Sequence, residues 1–203
     1  MHNSVLYESG GQTGQSLIRK VDPKNARVLK KVSLPGDYFG EGLTILDDKV
    51  YQLTWQNGVC LVYDLDLNLL NKIHFKSSNG EGWGICNDGK RLIISDGTNR
   101  LTYVHPESFE IEKVVYVYAG DKEVSLLNEL EYVNGYIYAN IYTTDQIVKI
   151  DAATGKAVAV ANLPGLDKAN PKGDVFNGIA WDAGNQSFIV TGKNWGKLYH
   201  VKI

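Results

Sequence analysis

The 203-residue sequence has little net charge, few cysteines and no long apolar run, and each shortage excludes a class of protein. Its 21 lysines and arginines nearly balance 23 aspartates and glutamates, so no broad basic surface is present and nucleic acid is not expected as a partner. No apolar segment approaches the length of a transmembrane helix, so no membrane partner is expected. No apolar leader follows Met1, and no signal peptide is visible.

Cysteine and histidine are too sparse to indicate a disulfide framework or a metal centre. Cys60 and Cys86 fall in predicted strands of neighbouring sequence units, where we expect free buried thiols; a disulfide is the alternative. The four histidines lack the spacing of metal ligands, and no Gly-x-Ser-x-Gly elbow or phosphate-binding glycine loop is present. The sequence therefore predicts neither a cofactor nor a catalytic metal.

A repeat organises the rest of the sequence. Four polar residues follow one another at steps of 40, 47 and 49 residues, each at the start of a similar segment: Glu41, Glu81, Asn128 and Asn177. A tight-turn signal such as Asn134-Gly135 follows each of them, and a strand pattern follows each turn. Four short antiparallel strands in a unit of about 40–50 residues is typical of a β-propeller blade. A β-sandwich or barrel is the alternative, but it does not require a recurring polar position.

The repeats predict a single all-β domain over 1–203, a five-bladed β-propeller. Its blades span approximately 5–34, 39–75, 82–117, 127–163 and 176–203, and residues 164–175 are predicted to form a loop. The first blade lacks its inner strand and the last blade lacks its outer strand. We expect the native chain to begin earlier, with roughly 15–30 upstream residues supplying both strands. A naturally shortened protein is the alternative.

The repeated polar residues are candidates for a functional site, because the inner strands of a propeller line its central channel. We expect Glu81 and Asn177 to be structural members of this polar ring. Glu41 differs in its aromatic surroundings, which are Phe39, Trp55 and Trp83. Such walls raise the pKa of a carboxyl group and suit it to proton transfer near neutral pH, unless a cation opposes them. Lys193, at a predicted strand end, either points into the same mouth or is an ordinary surface lysine. The oxygen ring could alternatively hold Ca²⁺.

Several motifs along nearly the whole chain resemble one family. They are Tyr38-Phe39-Gly40-Glu41-Gly42-Leu43-Thr44, Tyr51-Gln52-Leu53-Thr54-Trp55, Glu81-Gly82-Trp83-Gly84, Leu127-Asn128-Glu129-Leu130-Glu131-Tyr132, Asn177-Gly178-Ile179-Ala180-Trp181 and Thr191-Gly192-Lys193 with Trp195. Together they look like the plant-type glutaminyl cyclases (glutamine cyclotransferases), which also occur in bacteria. The resemblance implies a five-bladed propeller and a metal-independent acyltransferase that is secreted or periplasmic. It implies conversion of N-terminal glutamine of a peptide or protein, or of free glutamine, to pyroglutamate with release of ammonia.

The resemblance also implies roles for single residues. The catalytic residues would be Glu41, Asn128 and Lys193, and the substrate-binding residues would be Phe39, Trp55, Trp83 and Tyr142. Tyr142 stands where the family has a tryptophan. The family's opening Phe-Thr-Gln-Gly motif, which supplies a site glutamine, does not occur in this sequence, so we expect the 203-residue chain to be weakly active at best. The alternative function is a non-catalytic propeller that binds a small ligand, a peptide or Ca²⁺ at the channel mouth.

Overall fold

The computed structural model describes residues 1–167 and 170–203, and this part of the chain is built from short strands without an α-helix. None of it forms a helix that could span a membrane. The strands are β1 (Leu6–Gly10), β2 (Leu17–Asp22), β3 (Arg27–Ser33), β4 (Gly40–Leu46), β5 (Lys49–Thr54), β6 (Val59–Asp64), β7 (Leu69–His74), β8 (Ile85–Asn87), β9 (Leu92–Ser95), β10 (Arg100–Val104), β11 (Ile111–Tyr116), β12 (Tyr118–Ala119), β13 (Lys122–Glu123), β14 (Leu127–Val133), β15 (Tyr136–Ile141), β16 (Gln146–Asp151), β17 (Ala157–Asn162), β18 (Phe176–Asp182), β19 (Ser187–Gly192) and β20 (Tyr199–Val201).

These strands form five antiparallel sheets in which neighbours in sequence are neighbours in space. The sheets are β1-β2-β3, β4-β5-β6-β7, β8-β9-β10-β11, β14-β15-β16-β17 and β18-β19-β20. They are the blades of a five-bladed β-propeller, which confirms the predicted fold class. A sixth, two-stranded hairpin of β12 and β13 was not predicted.

Burial separates inner strands from outer ones. The middle strands β5, β6 and β9 are almost wholly buried, whereas β7 and β17 at the outer edge are mostly exposed. Strand β3 is exposed along nearly its whole length, so it is an outer strand, and β1 therefore holds the second position of its sheet. In the described chain the first sheet thus has no inner strand and the last has no outer strand.

Apolar side chains between facing sheets form the core. Between the second and third sheets, for example, Leu53 and Cys60 pack with Ile85 and Phe109. Burying a side chain of this size contributes about 1.5–3 kcal/mol, so the five interfaces together provide the main stabilisation. Cys60 and Cys86 are both free and buried, as expected.

Tight hairpins join the inner and second strands at the end of the channel opposite to the candidate site. Asp47 and Asp48 both have positive φ, as do Asn134 and Gly135, which is the conformation that a two-residue hairpin turn requires. The predicted loop 164–175 consists of turns and irregular chain where the structure describes it, and positions 168 and 169 lie outside the described residues.

Candidate active site

Three inner strands interrupt their pairing at the same place. The register shifts between Gly40 and Leu43 in β4, between Leu127 and Leu130 in β14, and between Phe176 and Ile179 in β18. Each shift is a β-bulge, which frees two residues from the ladder and redirects their side chains. The bulges bring these side chains to one mouth of the channel: Glu41, Asn128 and Glu129, and Asn177.

The third sheet differs from the prediction. Its inner strand begins to pair at Ile85, which lies opposite Ile94. Ile85 is therefore equivalent to Leu43 of β4, which lies opposite Gln52. Two residues before Ile85 is Trp83, so the indole and not the Glu81 carboxylate holds the position that Glu41 holds in β4. The prediction that Glu81 is the third-sheet member of the polar ring is therefore wrong, because Trp83, two residues later, occupies that position. The third inner strand is also shorter than its counterparts, with three residues in place of seven.

Buried polar side chains on the second strands fix the bulges, and sequence reasoning missed them. The Ser95 hydroxyl donates to the Asn128 carbonyl at 2.8 Å, and the Gly178 N–H donates to Asn140 Oδ1 at 3.2 Å. In β5, the buried Gln52 instead contacts the first sheet, where it donates to Ser9 Oγ at 2.7 Å. Gln52, Ser95 and Asn140 are all 0% exposed. Their only sequence signal is a polar residue in an otherwise apolar strand.

A second set of equivalent positions follows the second strands. The backbone N–H groups of Trp55, Tyr142 and Lys193 all donate across their own sheets, to the carbonyls of Phe39, Leu126 and Val175. These bonds place all three side chains at the same mouth as the bulges. In the third sheet the equivalent position is a glycine, Gly97, which lies three residues after Ile94 as Trp55 lies three residues after Gln52.

That glycine, Gly97, makes room for an indole. It has φ of +80°, and a Cβ built on it would lie 2.7 Å from Cζ2 of Trp83. The Trp83 ring therefore occupies the space that a side chain fills in the other sheets. Sequence reasoning also missed Gly97, because its importance depends on a ring that is distant in sequence.

The aromatic side chains form two pairs with Lys193 between them. The rings of Phe39 and Trp55 meet edge to face with centroids 5.7 Å apart, and those of Trp83 and Tyr142 do so at 5.4 Å. Lys193 Nζ lies 5.9 Å from the Phe39 ring centroid and 5.4 Å from the Tyr142 centroid. An ammonium so close to aromatic faces is attracted by them. Lys193 thus points into the mouth and is not an ordinary surface lysine.

The Glu41 carboxyl group is held near its neutral form. The pKa of Glu41 is raised to about 8, chiefly by burial and next by the charge of Glu129, while Lys193 opposes the rise and Glu81 adds to it. Burial also raises the pKa of Glu129 to about 7, against the opposing effect of Lys193. Burial thus outweighs the lysine, and Glu41 can both accept and release a proton near neutral pH.

Two amide groups at the mouth have unused hydrogen-bonding capacity. Asn128 is only 3% exposed, yet its Oδ1 has no partner, and Oδ1 of Asn177 is also buried without one among the described residues. Buried unpaired polar atoms are rare and frequently mark functional positions. No group of three or more His, Cys, Asp or Glu side chains within 1–167 and 170–203 is arranged to hold a metal ion.

Fold and site together define a five-bladed β-propeller with a candidate acid–base site at one channel mouth. A family profile described as glutamine cyclotransferase matches residues 1–203. The chain belongs to the glutamine cyclotransferase family.

Two relatives are similar to the chain over nearly its whole length. A glutaminyl-peptide cyclotransferase of Arabidopsis thaliana is 39% identical over 206 residues, which is 99% of this chain, and the chain spans 64% of that relative's length. The crystal structure of Myxococcus xanthus glutaminyl cyclase is 32% identical with a TM-score of 0.86, covering 97% of this chain and 84% of that one. The WD40 propeller domain of Doa1, at 9% identity and a TM-score of 0.60 over 98% of this chain and 60% of that one, shares the fold alone.

Proposed function

We propose that this chain is a glutaminyl-peptide cyclotransferase, which closes the N-terminal glutamine of a peptide or protein, or free glutamine, into pyroglutamate and releases ammonia. One observation carries the proposal: the Glu41 carboxyl group, with its pKa raised to about 8, lies in an aromatic mouth beside Lys193. The names of the Arabidopsis and Myxococcus relatives support the same reaction.

The reaction is intramolecular, so the protein mainly has to select a conformer. The α-amine nitrogen forms a bond to the side-chain amide carbon, and the bond from that carbon to the amide nitrogen breaks. Both groups already belong to one residue, and fixing them in contact supplies much of the rate enhancement. Phe39, Trp55, Trp83 and Tyr142 would hold the folded glutamine side chain and exclude water.

Glu41 would move the proton. The carboxylate accepts a proton from the attacking amine, and the resulting carboxylic acid gives it to the departing ammonia, so no net proton is gained or lost. The pKa of Glu41, about 8, is close to that of a peptide α-amine, about 7.7–8.0. Proton exchange between groups of matched pKa has little energetic cost in either direction.

Asn128, through its side-chain N–H, and Lys193 would stabilise the negative charge on the carbonyl oxygen of the tetrahedral intermediate. The ammonium of Lys193 already projects between the two aromatic pairs. Removing one such donor from an enzyme typically costs about 2.7–4 kcal/mol of transition-state stabilisation.

Metal independence, the acyltransferase class and a secreted or periplasmic location are further parts of the proposal, and they rest on the family. The rival function is a non-catalytic propeller that binds a ligand, a peptide or Ca²⁺. Incubation with a glutamine-initiated peptide, with and without chelator, tests both. We expect ammonia release and the loss of one ammonia in peptide mass in both samples. Ammonia release that stops with chelator would refute metal independence, and no release in either sample would favour the rival.

A further inference from the structure

Glu81, two residues away from its expected place, holds the Trp83 indole. Trp83 Nε1 donates to one Glu81 carboxylate oxygen at 2.8 Å, and Gln56 Nε2 donates to the other at 2.9 Å. The carboxylate is therefore fixed at both oxygens at the rim of the mouth. An ionised carboxylate oxygen accepts about two hydrogen bonds, so each oxygen keeps capacity for one more.

The charges around the mouth distinguish Glu81 from the other carboxyl groups. Three groups act on Glu41 through their charges, namely Glu129, Lys193 and Glu81. Glu41 and Glu129 are pushed towards their neutral forms by burial. Burial acts on Glu81 in the same direction, but the hydrogen bonds to its carboxylate, chiefly those from Gln56 and Trp83, outweigh it and lower the pKa of Glu81. Glu81 thus keeps its negative charge at neutral pH.

We propose that Glu81 recognises the α-ammonium group of the incoming substrate, in addition to orienting Trp83. The inference rests on the proposed cyclotransferase function. A peptide N-terminus with a pKa of about 7.7–8.0 is mostly protonated at pH 7, and it carries three N–H donors for the free capacity of the Glu81 oxygens. The ammonium must then lose one proton before its nitrogen attacks, and Glu41 lies at the same mouth to receive it.

This recognition discriminates substrate from product. Ring closure converts the ammonium nitrogen into a neutral lactam N–H, and the positive charge leaves as ammonium. The product has no charge for Glu81 to attract, so the carboxylate favours substrate binding without retaining the product. A purely structural Glu81, which only orients the indole, would affect substrate and product alike.

The test compares Glu81→Gln with the unmodified chain. Glutamine keeps an acceptor for Trp83 Nε1 and removes the charge. We expect the KM of a glutamine-initiated peptide to rise roughly two- to fivefold at low salt, as the loss of one solvent-exposed ion pair predicts, while kcat changes little. The inhibition constant of the matching pyroglutamate peptide should stay constant. With added salt, kcat/KM should decrease less steeply in the variant than in the unmodified chain.

Glu107→Gln is the matched control. Glu107 lies at the opposite end of the channel, where its carboxylate is 3.8 Å from Lys49 Nζ, so the variant loses the same charge far from the mouth. It should not change the KM. Glu81→Asp keeps the charge, and we expect it to recover part of the lost affinity.

Binding without turnover separates this inference from the proposed function. In the Glu41→Gln background, tryptophan fluorescence reports the Kd of the glutamine-initiated peptide and of its N-acetylated form. We expect the free amine to bind more tightly, and Glu81→Gln to abolish the difference. Equal affinity of the two peptides before the Glu81 substitution would overturn the inference, as would parallel losses of substrate and product affinity in Glu81→Gln. Ammonia release by the unmodified chain decides the proposed function independently.

Discussion

Replacing Gly97 by alanine should disable the site without disrupting the fold. The added Cβ would lie 2.7–2.8 Å from three atoms of the Trp83 ring, whereas ordinary contacts begin at 3.4 Å, so the ring must move by roughly 0.7 Å. It cannot move freely, because Tyr142 packs on it at 5.4 Å and Glu81 holds its Nε1 at 2.8 Å. Misplacement of about 1 Å at a substrate-positioning group can cost about 10²-fold in rate. We therefore expect kcat/KM to fall roughly 10- to 100-fold.

The control for this variant is Gly89→Ala. Gly89 has φ of +86°, close to the +80° of Gly97, but a Cβ there would meet nothing within 4 Å, and it lies in a hairpin at the far end of the channel. Both variants place alanine in left-handed backbone at a cost of about 1–2 kcal/mol. Each should therefore lower Tm by a few degrees, since 1 kcal/mol corresponds to about 2–4 °C in a domain of this size.

Ammonia release and thermal unfolding, measured on both variants, test the reasoning. Only Gly97→Ala should lose activity beyond what its Tm explains. If Gly97→Ala kept kcat/KM within about twofold of the unmodified chain, the position of the Trp83 ring beside Gly97 would have no role in positioning substrate. An equal loss of activity in Gly89→Ala would attribute the effect to backbone strain instead.

Three other substitutions and one condition give separate tests. Glu41→Gln should lower kcat by about 10²–10⁴-fold with little change in substrate binding, and a variant that kept more than about a tenth of kcat would contradict the proton-transfer role. Lys193→Met should lower kcat more than it raises KM, because charge on the oxyanion develops in the transition state; a normal kcat with a raised KM would make Lys193 a ground-state anchor. Lys193 lowers the pKa of Glu41, so in Lys193→Met the acidic limb of the profile of kcat/KM against pH should move to higher pH. Glu129 raises the pKa of Glu41, so in Glu129→Gln the same limb should move to lower pH. Burial raises the Glu41 and Glu129 pKa values from 4.5 to about 8 and 7, so the folded state binds more protons than the unfolded state in this range. Tm should thus fall as pH rises from about 5 to 8, less so in Glu129→Gln, and an unchanged slope in that variant would contradict the assignment.

The propeller was predictable because its signals are local and repeated. Turns such as Asn134-Gly135 carry the residue types that positive φ demands, and they recur with the period of a blade. The hairpin of β12 and β13 carries no comparable signal, because its strands have two residues each and all four are exposed. A pattern of buried and exposed residues cannot be recognised over so short a span.

The candidate site was only partly predictable. Motif resemblance identified the aromatic residues and Lys193, and the structure brings them to one mouth. The segment Glu81-Gly82-Trp83-Gly84 allowed two alignments, because a glycine follows both the glutamate and the tryptophan, and only backbone pairing distinguishes them. Gly97, Ser95 and Asn140 remained hidden, because each acts on a bulge or ring of another strand. Such roles depend on contacts between sheets, which no single segment of sequence records.

The repeated bulge has a consequence for how new binding chemistry can arise on this scaffold. At each bulge the backbone is released from its own sheet, and in β4 the Gly42 N–H donates instead to the Trp83 carbonyl of the neighbouring sheet at 2.8 Å. The bulge side chain therefore contributes to neither the strand ladder nor the apolar core. Exchanging it alters the mouth at little cost to strand pairing. Point substitution alone can therefore change the group that a bulge presents, which is a carboxylate at position 41 and an amide at positions 128 and 177, without the insertion of a loop.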